Sequence, residues 1–331
     1  MSRPLLLIVG ILIILPAFVS DFWLNQILTR SIILGIAALS LTFLTTYLGV
    51  VSFAQITLAG IAGYTIAYFS PNATGLGIEL PWLFAVALAL LFSTLAGALV
   101  GAIAKKSVGI YSIMITLAIS MAFFYFTRQN YSIFNGWTGY SGITAPAIFG
   151  LSLEDSLVFY YATLISATAA GFLVVKFTSS PLGLAVQGVK DAARRVRAIG
   201  IPTTPVIIAA YAFSGFIAGM SGVLNVWQQE RISSFSVGLS PTIDVLIIAV
   251  IGGMRHPLGA FIGAITYVLI DTFVIDLFSR DRFNMIIGLV LLFIVMAAPQ
   301  GILGSFLSAK KRIRKYDNNA IKRKIKNDCE I

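Results

Sequence analysis

SSPLGLAVQGVKDAARRVRAIGIP, Ser179 to Pro202, is a polar interval between two long apolar stretches. Its apolar residues Leu182, Val186, Val189, Ala193, Val196 and Ile199 recur every three or four positions, opposite a stripe of Gln187, Lys190, Arg194 and Arg197. That spacing predicts a short amphipathic helix, capped by Gly200. Such a helix inside an otherwise hydrophobic chain touches something at the membrane surface, either lipid headgroups or a soluble partner. The second option points to a transporter driven by another subunit.

Outward from this segment the composition is that of a membrane protein. The 331 residues are 58% hydrophobic and 11% charged, with a mean hydropathy of +0.93, a combination that no soluble globular domain sustains. The lone cysteine, Cys329, allows no internal disulfide, and the lone histidine, His256, allows no clustered zinc or iron ligands. No cofactor, metal or redox chemistry is expected. The net charge of +10 does not indicate nucleic acid, because Lys and Arg concentrate in the 179–202 segment and in the tail from Lys310 to Lys326. Positive charge near span ends is retained on the cytoplasmic side, which places both segments there together with Lys105 and Lys106. The tail is also suited to lie against anionic membrane lipid.

Apolar runs of bilayer length fall at Leu5 to Val19, Ile32 to Val50, Ile56 to Phe69, Trp82 to Ala104, Ile110 to Thr127, Leu157 to Phe177, Val206 to Trp227, Ile243 to Gly253, Leu258 to Ile275 and Met285 to Leu303. The expectation is an all-α polytopic membrane protein of about ten transmembrane helices with both termini cytoplasmic. Residues 1–308 form the permease domain and residues 309–331 a basic cytoplasmic tail. The first run lacks a small-x-small cleavage site before Asp21 and reads as a retained helix. Two runs are short and adjoin breaks, Val51-Ser52-Phe53-Ala54-Gln55 and Gly252-Gly253-Met254-Arg255-His256-Pro257. Irregular backbone at membrane depth lines a cavity or is buried in protein, and paired interruptions point to a transport path. Ser52, Gln55, Thr57, Gly252 and Gly253 are therefore candidate pathway residues. The side chains of the first three suit hydrogen bonds either to a solute or to freed backbone groups. Arg128 to Asp155, rich in Gly, Asn, Tyr and Trp, reads as an ordered external loop.

Four stretches resemble the permease subunits of bacterial ABC importers for branched-chain amino acids, in particular the M-type subunit. Tyr47-Leu48-Gly49-Val50-Val51-Ser52-Phe53-Ala54-Gln55, continuing to Gly60, Gly63 and Tyr64, is similar to the family's Y-x-G-x-x-S-x-G-[HQ] run and the glycine-rich helix after it. Asn135 to Ile143 is similar to its T-G-G-x-x-G-[IL] loop. The amphipathic segment matches its coupling motif at Ser180, Gly183, Ala185, Lys190, Asp191 and Gly200, and Ile243 to Gly304 resembles its closing region ending P-x-G-[LI]-x-G. Ala54, Leu184 and Ala192-Ala193 depart from the usual glycine, arginine and acidic residues. The Asp191-Ala192 and Arg195-Val196-Arg197 pattern is also similar to the urea-importer branch.

The resemblance implies a type II ABC-importer permease fold with a cytoplasmic coupling helix, in the bacterial inner membrane. Implied partners are a second, non-identical permease subunit, separate ABC ATPase subunits and a periplasmic solute-binding protein. Pro181, Leu182, Gly183, Ala185, Val189, Lys190, Asp191, Arg194 and Gly200 are the expected ATPase-coupling residues. The chain itself is expected to catalyse nothing. Gly97 to Ser107 lacks the G-K-[ST] step with which a loop holds phosphate, and one His with one remote Cys assembles no nucleophile and base. An ion-coupled secondary transporter would bury ionisable relay groups in mid-span, where Asp271 alone stands well inside a predicted helix. Asp191 is spaced to pair with Arg194 or Arg195, Asp244 to complement a helix start, and His256 to sit in a solvated turn.

Overall fold

In lipid a spanning backbone must satisfy its own hydrogen bonds, and apolar runs without Pro or charge do so as helices. The computed structural model describes residues 15–105, 109–148, 151–254 and 256–277, together with 288, 301 and 304. Nine helices longer than one turn occur among them: α1 Trp23–Leu48, α2 Gln55–Phe69, α3 Trp82–Ala104, α4 Ile110–Gln129, α5 Ser156–Ser179, α6 Pro181–Ala198, α7 Thr203–Gln229, α8 Leu239–Gly252 and α9 Gly259–Leu277. The first is composite, with π-helical turns at Trp23–Thr29 and Leu44–Leu48 on either side of regular α-helix. Thr29 reinforces the first wide turn by donating to the Leu24 carbonyl five residues back, and Gly49, at φ 77°, terminates the second.

Small residues set how the helices pack. Ala85, Ala89, Ser93, Gly97 and Gly101 line one face of α3 at four-residue intervals, and Gly215, Gly219 and Gly222 lie along α7. A Cβ on Gly97 would lie 2.6 Å from the Tyr211 carbonyl oxygen, and one on Gly215 2.6 Å from that of Ser93. Backbones approach this closely only where side chains are nearly absent, the usual source of helix association in a bilayer. Ser93 seals the junction by approaching the carbonyls of Leu58 on α2 and Gly215 on α7, at 2.9 and 2.7 Å. Outward, α3 presents Leu91, Leu95, Leu99 and Ile103, and α4 presents Ile110, Tyr111 and Met114, all exposed large apolar side chains suited to lipid.

The bundle has two distinct ends. At one, Asn25 Nδ2 donates to Ser156 Oγ at 2.7 Å, Gln228 Nε2 donates to the Asn25 carbonyl at 2.9 Å, and the Trp23 ring lies 5.7 Å from Phe273. The same end carries residues 128–148 and 151–155. Its strand β1, Tyr140–Ser141, pairs antiparallel with β4, Arg231–Ile232, while β2, Ala147–Ile148, pairs with β3, Leu151–Ser152. The Arg128 guanidinium stacks 4.2 Å over the Trp137 ring. The other end gathers the α1 terminus, α6 and the α8–α9 connection.

The structure corrects the expectation of about ten spans. Among the described residues five helices are long and apolar enough to cross a membrane: α1, α3, α4, α5 and α7. The run at Ile56 to Phe69 is the fifteen-residue α2, and that at Ile243 to Gly253 the fourteen-residue α8. The hydropathy of α2 and α8 arises from contact with neighbouring helices, since Leu58, Ala62, Ile66, Ile248 and Ala249 are fully buried. The expected runs Leu5 to Val19, apart from its last five residues, and Met285 to Leu303, apart from Gly288 and Gly301, lie outside the described residues, as do Arg3, Lys106, Arg255, Cys329 and the 309–331 tail. The count from which both termini were read as cytoplasmic therefore lapses.

Candidate functional site

Between the end of α1 and the start of α2, residues 49–54 are not helical. Gln55 then opens α2 beside Ser40 of α1 and Ser214 of α7. Ser40 stands eight residues before Leu48, about 12 Å along a helix axis, so the non-helical segment climbs to the interior before α2 begins. One terminal atom of the Gln55 amide lies 2.9 Å from Ser40 Oγ and 3.0 Å from Ser214 Oγ. Its other terminal atom has no hydrogen-bond partner among the described residues, although the residue is only 2% exposed. A buried amide left half unpaired is costly and calls for a role.

The rest of the segment is held by α4. Thr116 Oγ1 accepts the Phe53 N–H at 3.1 Å, and Thr57 Oγ1 donates to Ser120 Oγ at 3.0 Å. Ser112, Thr116 and Ser120 recur every four residues as the buried polar face of a helix whose other faces are largely exposed. Ser52 Oγ accepts the Ala54 N–H at 3.3 Å. Ser52 and Gln55 line a small cavity with Leu41, Phe53 and Ile56, and α8 closes it with Thr242, Val245 and Leu246. The sequence-predicted pair Ser52 and Gln55 thus meets at one cavity. Thr57 turns to α4 instead, and Gly252 and Gly253 are not among the cavity's lining residues.

Gly252 and Gly253 instead end α8 at the α6 end of the bundle. A Cβ on Gly252 would lie 1.8 Å from the Gly259 carbonyl oxygen, and Gly301 approaches Gly253 so closely that its own Cβ would be 2.3 Å from the Gly253 Cα. Non-helical backbone on the α8 side comes earlier, where the 3-10 turn Ser234–Val237 brings Val237 against Gly60. His256 sits exposed in the turn that follows the break, its carbonyl accepting the Gly259 N–H at 2.9 Å.

The α6 helix is capped at both ends, at Gly200 as the sequence predicts. Ser180 Oγ accepts the Gly183 N–H at 3.1 Å, Pro181 takes the first position, and Gly200, at φ 86°, turns the chain after Ala198. Its apolar stripe divides. Gly183, Val186 and Val196 are buried, and Ala185 and Val189 pack on the core of their own chain, while Leu182, Leu184 and Ile199 are 41, 61 and 75% exposed. Ala192 breaks the helix with φ −161° and ψ 82°. That break removes the spacing on which an Asp191 pair with Arg194 or Arg195 depends, and no such pair forms among the described residues, where the ion pair present is Arg30–Asp271. Asp191 and Arg194 are exposed on the outer face.

Lys190 links α6 to the pathway segment. Its Nζ donates to the Thr46 carbonyl at 2.6 Å, its stem lies over Gly49, and Thr46 Oγ1 donates to the Met254 carbonyl at 2.7 Å. One threonine therefore joins α6, the approach to the first break and the second break.

Sequence reasoning missed Ser40, Ser214, Thr46 and Arg30. The Arg30 guanidinium meets the buried Asp271 carboxylate at 2.6 Å, beside Asp244 and Tyr267. Arg30 escaped because α1 begins at Trp23, not at Ile32. Asp244 likewise lies in the second turn of α8, which starts at Leu239, and not at its first. The four-residue Ser/Thr period of α4 was the one legible signal.

The family described as branched-chain amino acid transport system / permease component matches residues 23–296. The high-affinity branched-chain amino acid transport system permease proteins LivM of Salmonella typhimurium and of Escherichia coli are each 26% identical over 266 residues, covering 73% of this chain and 61% of their own length. The chain thus spans about three-fifths of the curated relatives it matches. No solved structure matches it.

Proposed function

Because the chain belongs to the branched-chain amino acid transport permease family, and is in that family a translocation subunit and not an enzyme, we propose that it moves leucine, isoleucine, valine or related apolar amino acids inward. The energy comes from separate ABC ATPase subunits, a second permease subunit completes the path, and a periplasmic solute-binding protein delivers the solute to the 128–155 end. The proposed location is the bacterial inner membrane, in contact with lipid and with no nucleic acid. On this reading α6 is the coupling helix. Pro181, Leu182, Asp191 and Arg194 face the ATPase, while Gly183, Ala185, Val189 and Lys190 hold the helix on the bundle and Gly200 turns the chain out of it.

The observation that carries the proposal is the bond from Lys190 Nζ to the Thr46 carbonyl, because it ties a surface amphipathic helix to the backbone that leads into the Ser52–Gln55 cavity. A helix lying on lipid alone has no need of such a connection. The Ser52–Gln55 cavity is lined mostly by apolar side chains, beside Ser52, Gln55 and Thr242. Its aliphatic walls favour an apolar solute. The urea alternative draws no support from a family and relatives described by branched-chain amino acids.

The test is uptake into proteoliposomes holding this chain with its partner permease, ATPases and binding protein. Leucine uptake that requires ATP supports the proposal. Uptake driven by an ion gradient without ATP, or ATP-dependent uptake of urea in place of leucine, overturns it.

A further inference from the structure

Proton counting around Gln55 fixes which end of its amide faces the cavity. Ser40 Oγ lies 2.6 Å from the Ala37 carbonyl oxygen and 2.9 Å from the held end of the amide. Ser214 Oγ lies 3.0 Å from the Ser40 carbonyl oxygen and 3.0 Å from the same amide end. Each hydroxyl carries one proton. If the held end were the carbonyl oxygen, two protons would have to serve four oxygen–oxygen contacts, and two contacts would be bare repulsions. If the held end is the NH2 group, its two protons go to the two serine hydroxyls, and the hydroxyl protons go to Ala37 and Ser40. All four contacts are then hydrogen bonds of ordinary length. Amide orientation is assigned by such networks, since nitrogen and oxygen are otherwise interchangeable.

We infer that Gln55 directs its carbonyl oxygen into the cavity shared with Ser52, Thr242 and Leu246, where that oxygen accepts an N–H of the passing solute, the α-ammonium group of an amino acid. The inference rests on the proposed role of this cavity as part of the pathway, and adds which end of the solute it reads. The oxygen is an acceptor with no partner among the described residues. Thr242 donates its hydroxyl proton to the Gly238 carbonyl at 2.9 Å, which leaves its lone pairs as a second acceptor. An ammonium group, with three donors and no acceptor, complements this pair, and a carboxylate does not. The lining includes no charged side chain, so the ammonium is met by dipoles in apolar surroundings, where each hydrogen bond is strengthened.

The test uses the assembled importer with Cys329→Ser and Ser52→Cys, following labelling of the introduced thiol by a small aqueous reagent. Three probes are compared: leucine, 3-methylbutylamine, which lacks the carboxylate, and 4-methylpentanoate, which lacks the amine. Leucine and the amine are expected to slow labelling, with the acid at least about tenfold less effective. Adding Gln55→Leu should weaken protection by the amine at least about tenfold. Equal protection by acid and amine, or a Gln55→Leu complex that the amine still protects fully, overturns the inference while leaving the cavity on the pathway. Labelling that no probe slows overturns the pathway reading itself. If Gln55→Leu fails to assemble, the comparison of amine and acid with Gln55 intact still decides.

Discussion

Replacing Gly222 by alanine tests the helix contact on which the cavity depends. A Cβ built at Gly222 lies 1.9 Å from the Ala59 carbonyl oxygen, where real Cβ contacts are essentially never under 3.0 Å. The methyl group therefore forces α2 and α7 apart by about 1 Å, and carbonyl backbone cannot swing aside as a flexible side chain does. Ala59 is one turn beyond Gln55, and Gly222 two turns beyond Ser214. Moved as rigid helices, Gln55 and Ser214 would separate from their present 3.0 Å to about 4 Å, outside hydrogen-bond range. The overpacking costs about 1–3 kcal/mol, and the freed amide adds about 1–3 kcal/mol as an unsatisfied buried group. Gly171→Ala is the control, because nothing lies within 4 Å of its Cβ and alanine is the better helix former by about 1 kcal/mol. The assay is the thermal midpoint of the purified complex together with leucine uptake in proteoliposomes. Gly222→Ala should lower the midpoint and reduce uptake at least about tenfold, while Gly171→Ala leaves both near wild type or raises the midpoint. If the two variants behave alike, α2 and α7 do not approach as described, and the placement of Gln55 fails with them.

Three further outcomes are expected. Leu184→Asp puts a carboxylate on an exposed apolar position of α6, and burying it unpaired at an interface costs several kcal/mol, so recovery of the ATPase in a pull-down should fall while the permease still inserts; undiminished recovery and transport would count against coupling through this face. Gly183→Asp is a poor substitute, since its Cβ would lie 2.0 Å from the Phe177 carbonyl oxygen and distort the α5–α6 corner first. Lys190→Met cuts the tie from α6 to the Thr46 backbone and Thr46→Val the tie from Thr46 to the second break, and each should leave the ATPase bound while raising the ATP hydrolysed per leucine transported; an unchanged ratio would exclude the link from coupling. Arg30→Met leaves the buried Asp271 carboxylate without its cation, at a cost of about 3 kcal/mol, and Arg30→Met with Asp271→Asn should regain part of that stability; a double variant no more stable than the single one in thermal unfolding would refute the pairing.

Local chemistry made much of this protein legible in its sequence. Membrane residence follows from composition, helices from long apolar runs, and the end of α6 from Gly200, because each depends on residues within a turn or two of one another. Family membership was readable from motifs for the same reason. The tertiary structure alone decided which apolar runs have the length of a span. Residues facing lipid and residues facing a neighbouring helix are equally apolar, so hydropathy cannot separate the exposed α3 from the enclosed α2 and α8. Long-range pairing was equally hidden. The serine that holds Gln55 from α7 lies 159 residues away, Lys190 reaches Thr46 across 144 residues, and Arg30 meets Asp271 only after α1 and α9 pack side by side. Periodicity reports a side chain's position on its own helix. What stands opposite that position is set by backbone approach at glycines such as Gly97, Gly215 and Gly222, and that approach exists only once the helices are assembled.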